Sequence, residues 1–164
     1  MTGQTLREFI ELASTMAEKL FRKYGCLAPI WHYIDRNGEH HVMPAPDYDK
    51  NMSAAIMRAL FELHGATRCV FIDEAWILDH KGEPDLDKLL RIAGAQEVKD
   101  HPARQEVIML SAEDQIEGQL MARRVIERPP DSKPRLGPLI IDSPEGRMEG
   151  RFIGMLPRQP GKMQ

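Results

Sequence analysis

Helical periodicity occupies two long segments of the first 65 residues, with one strand-turn-strand pattern between them, and then gives way. After Gly65, apart from one short helix pattern, apolar residues fall in strand-length runs joined by turns. Most of those turns are too short for the crossovers that parallel strands require. The pattern therefore predicts an α+β fold: a largely antiparallel sheet of about six or seven strands with two long amphipathic helices packed on one face. A doubly wound α/β arrangement does not fit, because helices and strands do not alternate.

The first helix is read from "TLREFIELASTMAEKLFRKYG". Leu6, Phe9, Ile10, Ala13, Met16, Ala17, Leu20, Phe21 and Tyr24 recur at three-and-four spacing, Thr5 with Glu8 forms a capping box, and Gly25 supplies a left-handed stop. "PIWHYIDRNGEHHVM" reads as a hairpin about Asn37-Gly38. A two-residue turn there places Trp31 and Tyr33 on one face with His40 and Val42, and His32 and Ile34 on the other with His41 and Met43. The second helix, in "DYDKNMSAAIMRALFELHG", takes Met52, Ile56, Ala59, Leu60 and Leu63 as its apolar stripe.

"CVFIDEAWIL", residues 69–78, is apolar at both parities, which predicts a central strand buried on both sides. A polar loop, "DHKGEP", and a short helix over 85–93 precede two strands, "RQEVIMLSA" and "QLMARRVIE", joined by an acidic turn. A proline-rich connection leads to a short strand in "LIID" and a last strand in "MEGRFIGML". Residues 1–156 are expected to form one domain and 157–164 a flexible tail.

The size and composition are those of a globular domain. The 164 residues suffice for a core without disulfide or metal, and no stretch approaches the roughly 18 apolar residues of a membrane span. Glu8, Glu11 and Glu18 in the first helix do not fit a secretory leader, so a cytoplasmic location is expected. Cys26 and Cys69 have no metal-binding or redox spacing and are expected as thiols. The net charge of −3 is uneven: residues 73–117 carry 5 basic against 12 acidic residues, and 118–164 carry 9 against 5. Without a basic excess over the whole domain, nucleic acid is not an expected partner.

Within the central strand, VFIDEAWIL resembles the Walker B strand of P-loop ATPases, especially its "IDEAW" form. The resemblance implies that Asp73 would help hold magnesium and Glu74 would polarise the attacking water. It covers about ten residues, and no G-x-x-x-x-G-K-[ST] phosphate loop accompanies it. The sole Gly-Lys pair is Gly161-Lys162, at the end of the chain. Without that cradle the magnesium pair has no triphosphate to act on. Asp73 and Glu74 then stand either as buried carboxylates needing partners, for which Arg68, Arg104, Arg123 and Arg124 are available, or as active-site acids.

"HPARQEVIMLSAED" similarly resembles part of the zinc site of JAMM-type metallopeptidases, but Lys99 stands where the first histidine belongs. An ammonium does not ligate zinc, so that chemistry is rejected. His32 and His41 would supply two ligands to a transition metal and no third is identifiable. Ser111 and Ser143 lack a nucleophile-elbow context. No cofactor and no metal is therefore expected.

Three functional readings follow. The first is a non-catalytic protein-interaction or regulatory domain, with a protein partner or self-association, a homodimer being the form considered, and neither nucleic acid nor membrane as partner. The second is a hydrolase-type enzyme using Asp73, Glu74 and His101 in one cleft. The third is a small-ligand sensing domain with Trp31, Tyr33 and Trp76 as an apolar wall.

Overall fold

In a computed structural model, residues 3–78, 85–142 and 152–158 are described. Helix α1 spans Leu6–Tyr24. Its capping box forms as the sequence predicts: Glu8 N donates to Thr5 Oγ1 at 3.1 Å, Thr5 N donates to Glu8 Oε2 at 2.7 Å, and Gly25 closes the helix at φ 72°. Strands β1 (Ile30–Ile34) and β2 (His40–Pro44) form the hairpin. Helix α2 (Lys50–His64) is capped by Asp49 and ends at Gly65. Strand β3 (Arg68–Ile77) is followed by the short helix α3 (Leu86–Ile92) and a 3-10 turn at Val98–Asp100. Strands β4 (Gln105–Asp114), β5 (Gly118–Glu127), β6 (Arg135–Leu136) and β7 (Ile140–Ile141) complete an antiparallel sheet. The strand order is β2-β1-β3-β4-β5-β6, with β7 pairing β5. The α+β class and the central position of residues 69–78 stand as expected.

The placement of the helices is a correction. They lie on opposite faces of the sheet. The apolar face of α1, with Phe9, Ile10, Ala13 and Phe21, packs on Ile30, Val70, Ile72, Ile108 and Leu110. Ala54, Met57 and Phe61 of α2 pack with Trp31, Tyr33 and Cys69. The reason lies in β1 and β3, which are apolar at both parities, so each face of the sheet needs its own cover. The buried stripe of α2 also differs from the expected one. Ser53, Ala54, Met57 and Phe61 face inward, while Met52 and Leu63 are exposed. Apolar residues occur around much of this helix, and the side carrying the large Phe61 ring gains most from burial.

The hairpin register is shifted by one residue from the expected pairing. Asp35 N donates to Glu39 O, and Gly38 N donates to Asp35 O, so three residues rather than two make the turn, with Gly38 in the left-handed region at φ 79°. Tyr33 consequently pairs with His41 and Trp31 with Met43, while His32 pairs with Val42 and Ile34 with His40. One extra residue exchanges the faces of every β2 side chain. Asp35 holds this longer turn by accepting from Asn37 N and Glu39 N through Oδ1.

Residues 152–158 are irregular rather than the end of a strand, although Phe152 and Met155 pack onto the α2 face. The remainder of that expected strand, the loop at 79–84 and residues 159–164 of the expected tail lie outside the described residues. Among the described residues, no helix is long and apolar enough to cross a membrane.

Candidate functional site

Strand alternation separates the two acidic residues of the central strand. Glu74 points to the α1 face, where its Oε1 accepts from Leu27 N at 2.7 Å. The bond ties the segment between α1 and β1 to the sheet, so the carboxylate satisfies a backbone donor in a part-buried setting. Asp73 points to the α2 face. Among the described residues, its Oδ1 accepts only from the adjacent Glu74 N, at 2.8 Å. Burial raises the pKa of Asp73, the Glu74 charge raises it further, and the Glu74 backbone donor and the Lys50 ammonium oppose the rise.

Asp73 lies on the floor of a cavity of about 620 Å³. The floor comes from one face of two paired strands. Phe71 is opposite Ser111, Asp73 is opposite Met109, and Ala75 follows on β3. Lys50 and Ser53 from the start of α2 form one wall, Pro44–Tyr48 and Ala28–Pro29 form another, and Phe152 contributes an aromatic side. Short side chains make the space: Ala28, Ala45, Ser53, Ala75 and Ser111 stand where larger residues would fill the layer between helix and sheet. Ser53 is 3% exposed, and its Oγ has no hydrogen-bond partner. A buried hydroxyl without a partner is costly, and Ser53 is one of the residues lining the cavity.

The expected site residues do not converge. His101 follows the 3-10 turn, where its Nδ1 accepts from Ala103 N at 3.0 Å. No histidine lines the cavity among the described residues, so Asp73 and Ser111 have no imidazole beside them. Trp31 and Tyr33 are buried on the α2 face, whereas Trp76 is 44% exposed on the other, under the Arg104 guanidinium. Trp31 nevertheless supports the cavity from behind, because its ring packs 4.8 Å from Phe71 and 5.6 Å from Phe152.

The arginines available to the strand carboxylates are engaged elsewhere. Arg68 bonds Asp114 and Glu117, Arg123 pairs with Asp142, and Arg124 bonds Glu18. These pairs join the ends of sheet and helix. The acidic turn after β4 is likewise structural, since Asp114 Oδ1 accepts from Ile116 N and Glu117 N.

The histidines form two separate groups. On the α1 face, His32 Nε2 and His40 Nδ1 share a hydrogen bond of 2.8 Å beneath Phe9, and His32 Nδ1 is buried without a partner. Burial, with a smaller contribution from His40, lowers the His32 pKa to about 4. On the α2 face, Tyr33 stacks on His41 and its hydroxyl bonds His64 Nδ1 at 2.7 Å. His32 and His41 therefore do not share a metal. Among the described residues, Asp35, Glu39 and His41 are the one group of three metal-capable side chains with ligand atoms within 4.8 Å. The Asp35 oxygens are already taken by Asn37 N, Glu39 N and His41 Nε2, so the cluster acts as the lock of the hairpin turn. Cys26 is exposed, Cys69 is buried, and both are free thiols.

Ser53 and Lys50 were not among the residues singled out by sequence. Their role depends on the junction of α2 with β3 and β4, and no local motif marks it. The only local signal was an aspartate flanked at i−2 and i+2 by Phe71 and Ala75, a charge in an otherwise apolar file.

No protein-family model matches the chain, and no curated protein or solved structure matches it either. Its class is thus set by its own architecture: an antiparallel sheet between helices, with a cavity against the central strand.

Proposed function

We propose that this domain binds a small, largely apolar molecule in the cavity beside Asp73. The observation that carries the reading is the combination within one cavity of apolar walls, a half-buried carboxylate with no ion pair among the described residues, and the unpartnered Ser53 hydroxyl. A volume of about 620 Å³ falls in the range of small-molecule sites. No imidazole of the described residues lines the cavity, which favours binding or sensing over hydrolysis by Asp73, Glu74 and His101. A fragment screen followed by amide chemical shifts tests it. Ligands should move the resonances of 71–75 and 109–111, and Ala75→Leu, which fills the floor, should abolish those shifts. Hits scattered over the surface, or hits that survive Ala75→Leu, would reject the reading.

Self-association remains a second reading, supported by β2. Among the described residues this strand stands at the end of the strand order and pairs only with β1, so its outer edge is a candidate for pairing with another strand. Sedimentation velocity over a concentration series tests it, and a monomer throughout the series would exclude a homodimer. A soluble cytoplasmic setting is part of the same proposal and rests on the sequence profile.

A further inference from the structure

Resting on the proposed binding cavity, we infer that its ligand class is an organic ammonium, a primary or secondary amine carried on an apolar body. The charge of the deep group decides between ligand signs. Asp73 is on the floor, whereas Asp47 and Lys50 are exposed at the rim, so two acids face one lysine along the lining. An anion reaching the floor would meet a like charge, and a neutral ligand would leave the carboxylate with only the exposed Lys50 to oppose its charge. A cation supplies the missing partner.

The hydrogen-bonding inventory points the same way. A primary ammonium has three N–H donors, a secondary one two, and neither has an acceptor. The cavity offers the Asp73 carboxylate and the hydroxyls of Ser53 and Ser111, all able to accept, and the Ser53 hydroxyl is otherwise unpartnered. Its aromatic lining suits both halves of such a ligand. The Phe71 and Phe152 rings lie 4.5 Å apart and present a continuous face to an apolar body or to the edge of a cation. Burial of Asp73 without an ion pair, visible in its raised pKa, is the state that a bound cation would relieve.

Three probes of matched shape test the class: 2-phenylethylammonium, 2-phenylethanol and 3-phenylpropanoate, titrated by calorimetry with amide shifts read in parallel. The ammonium should bind tightest, by about tenfold or more over the carboxylate, as expected for opposite rather than like charge at a desolvated carboxylate. Asp73→Asn should weaken the ammonium about tenfold or more and leave the alcohol within about threefold, while Asp73→Glu should retain the preference for the cation. The amide spectrum of each variant reports whether it is folded, and Ser53→Ala, expected to weaken the ammonium about threefold, gives a second handle. Equal or tighter binding of the alcohol or the carboxylate, or an Asp73→Asn affinity unchanged for the ammonium, overturns the inference. Failure of all three probes also overturns it, and the fragment screen with Ala75→Leu then separately decides whether the cavity binds anything.

Discussion

The two faces of the central strand differ in how they treat a carboxylate. On the α1 face, a long helix lays large side chains across β1, β3 and β4, and the acid that β3 sends there, Glu74, meets a backbone N–H from the incoming loop. On the α2 face, the helix covers one end of the sheet, small residues line what it leaves, and among the described residues Asp73 has only its neighbour's amide. Adjacent residues of the same charge type thus have unlike environments because strand geometry sends them to different layers. A closed layer uses a charge as a fastener. Beside the cavity, Asp73 ties down no other segment among the described residues, although Glu113 on the same face holds Met155 N and Leu156 N.

The largest expected effect breaks the α1 layer. Phe9 is fully buried against the sheet and His32, so Phe9→Ala should lower unfolding free energy by about 3–5 kcal/mol in urea titrations. Met109→Ala, on the cavity floor, should cost about 1–2 kcal/mol at most, because its neighbours already face open space. Equal losses would mean that the two layers are equally packed. Next comes Glu74→Ala, which leaves the part-buried Leu27 N–H without its acceptor and should cost about 1–3 kcal/mol. A loss within ~0.5 kcal/mol would remove the fastening role assigned to Glu74.

This contrast was only partly legible in the sequence. The α1 layer could be read closely, because its periodicity, capping box and Gly25 are local signals that agree with one another. Strand β3 could be read as central from its two apolar parities. The assignment of faces failed on a nonlocal and a local point. Which face each helix covers depends on the sheet order, and the hairpin register depends on a single extra residue between Asp35 and Glu39. The cavity was not legible at all, since Ser53, Asp73 and Ser111 come from three elements and none forms a motif with another.

His32 offers a smaller effect, confined to the α1 face. It is buried, and its Nδ1 lacks a partner, so protonation is disfavoured in the fold. Facing it are Phe9 and His40, and no acid bonds its ring. The unfolded chain takes up a proton near pH 6.5 that the folded chain excludes until about pH 4. Stability contributed by the neutral ring is therefore lost as pH falls through that window, by about 1–2 kcal/mol between pH 6.5 and 5. His32→Leu should flatten this part of the pH profile of urea unfolding. A slope unchanged by that substitution would assign the acid sensitivity to another group.

The sharpest form of the comparison has the smallest expected energy. Asp73 titrates in the opposite sense to His32 and to the ion-paired acids Glu18 and Asp114, whose pKa values are lowered. A carboxyl raised in the fold holds its proton more strongly there than in the unfolded chain. Its burial penalty is present at neutral pH and disappears as pH falls through the folded pKa toward the ordinary carboxylate value. Asp73→Asn keeps an oxygen that can accept from Glu74 N and removes the charge. At pH 7 the variant should be as stable as the parent or more stable, with a difference within ~0.5 kcal/mol for this half-buried group. The difference should shrink further toward pH 4. Urea titrations of both proteins at the two pH values decide the matter. A loss of about 2 kcal/mol or more at pH 7 would make Asp73 a structural acid like Glu74. The asymmetry between the faces would then be one of packing alone, and the case for a ligand at the floor of the cavity would lose its charged anchor.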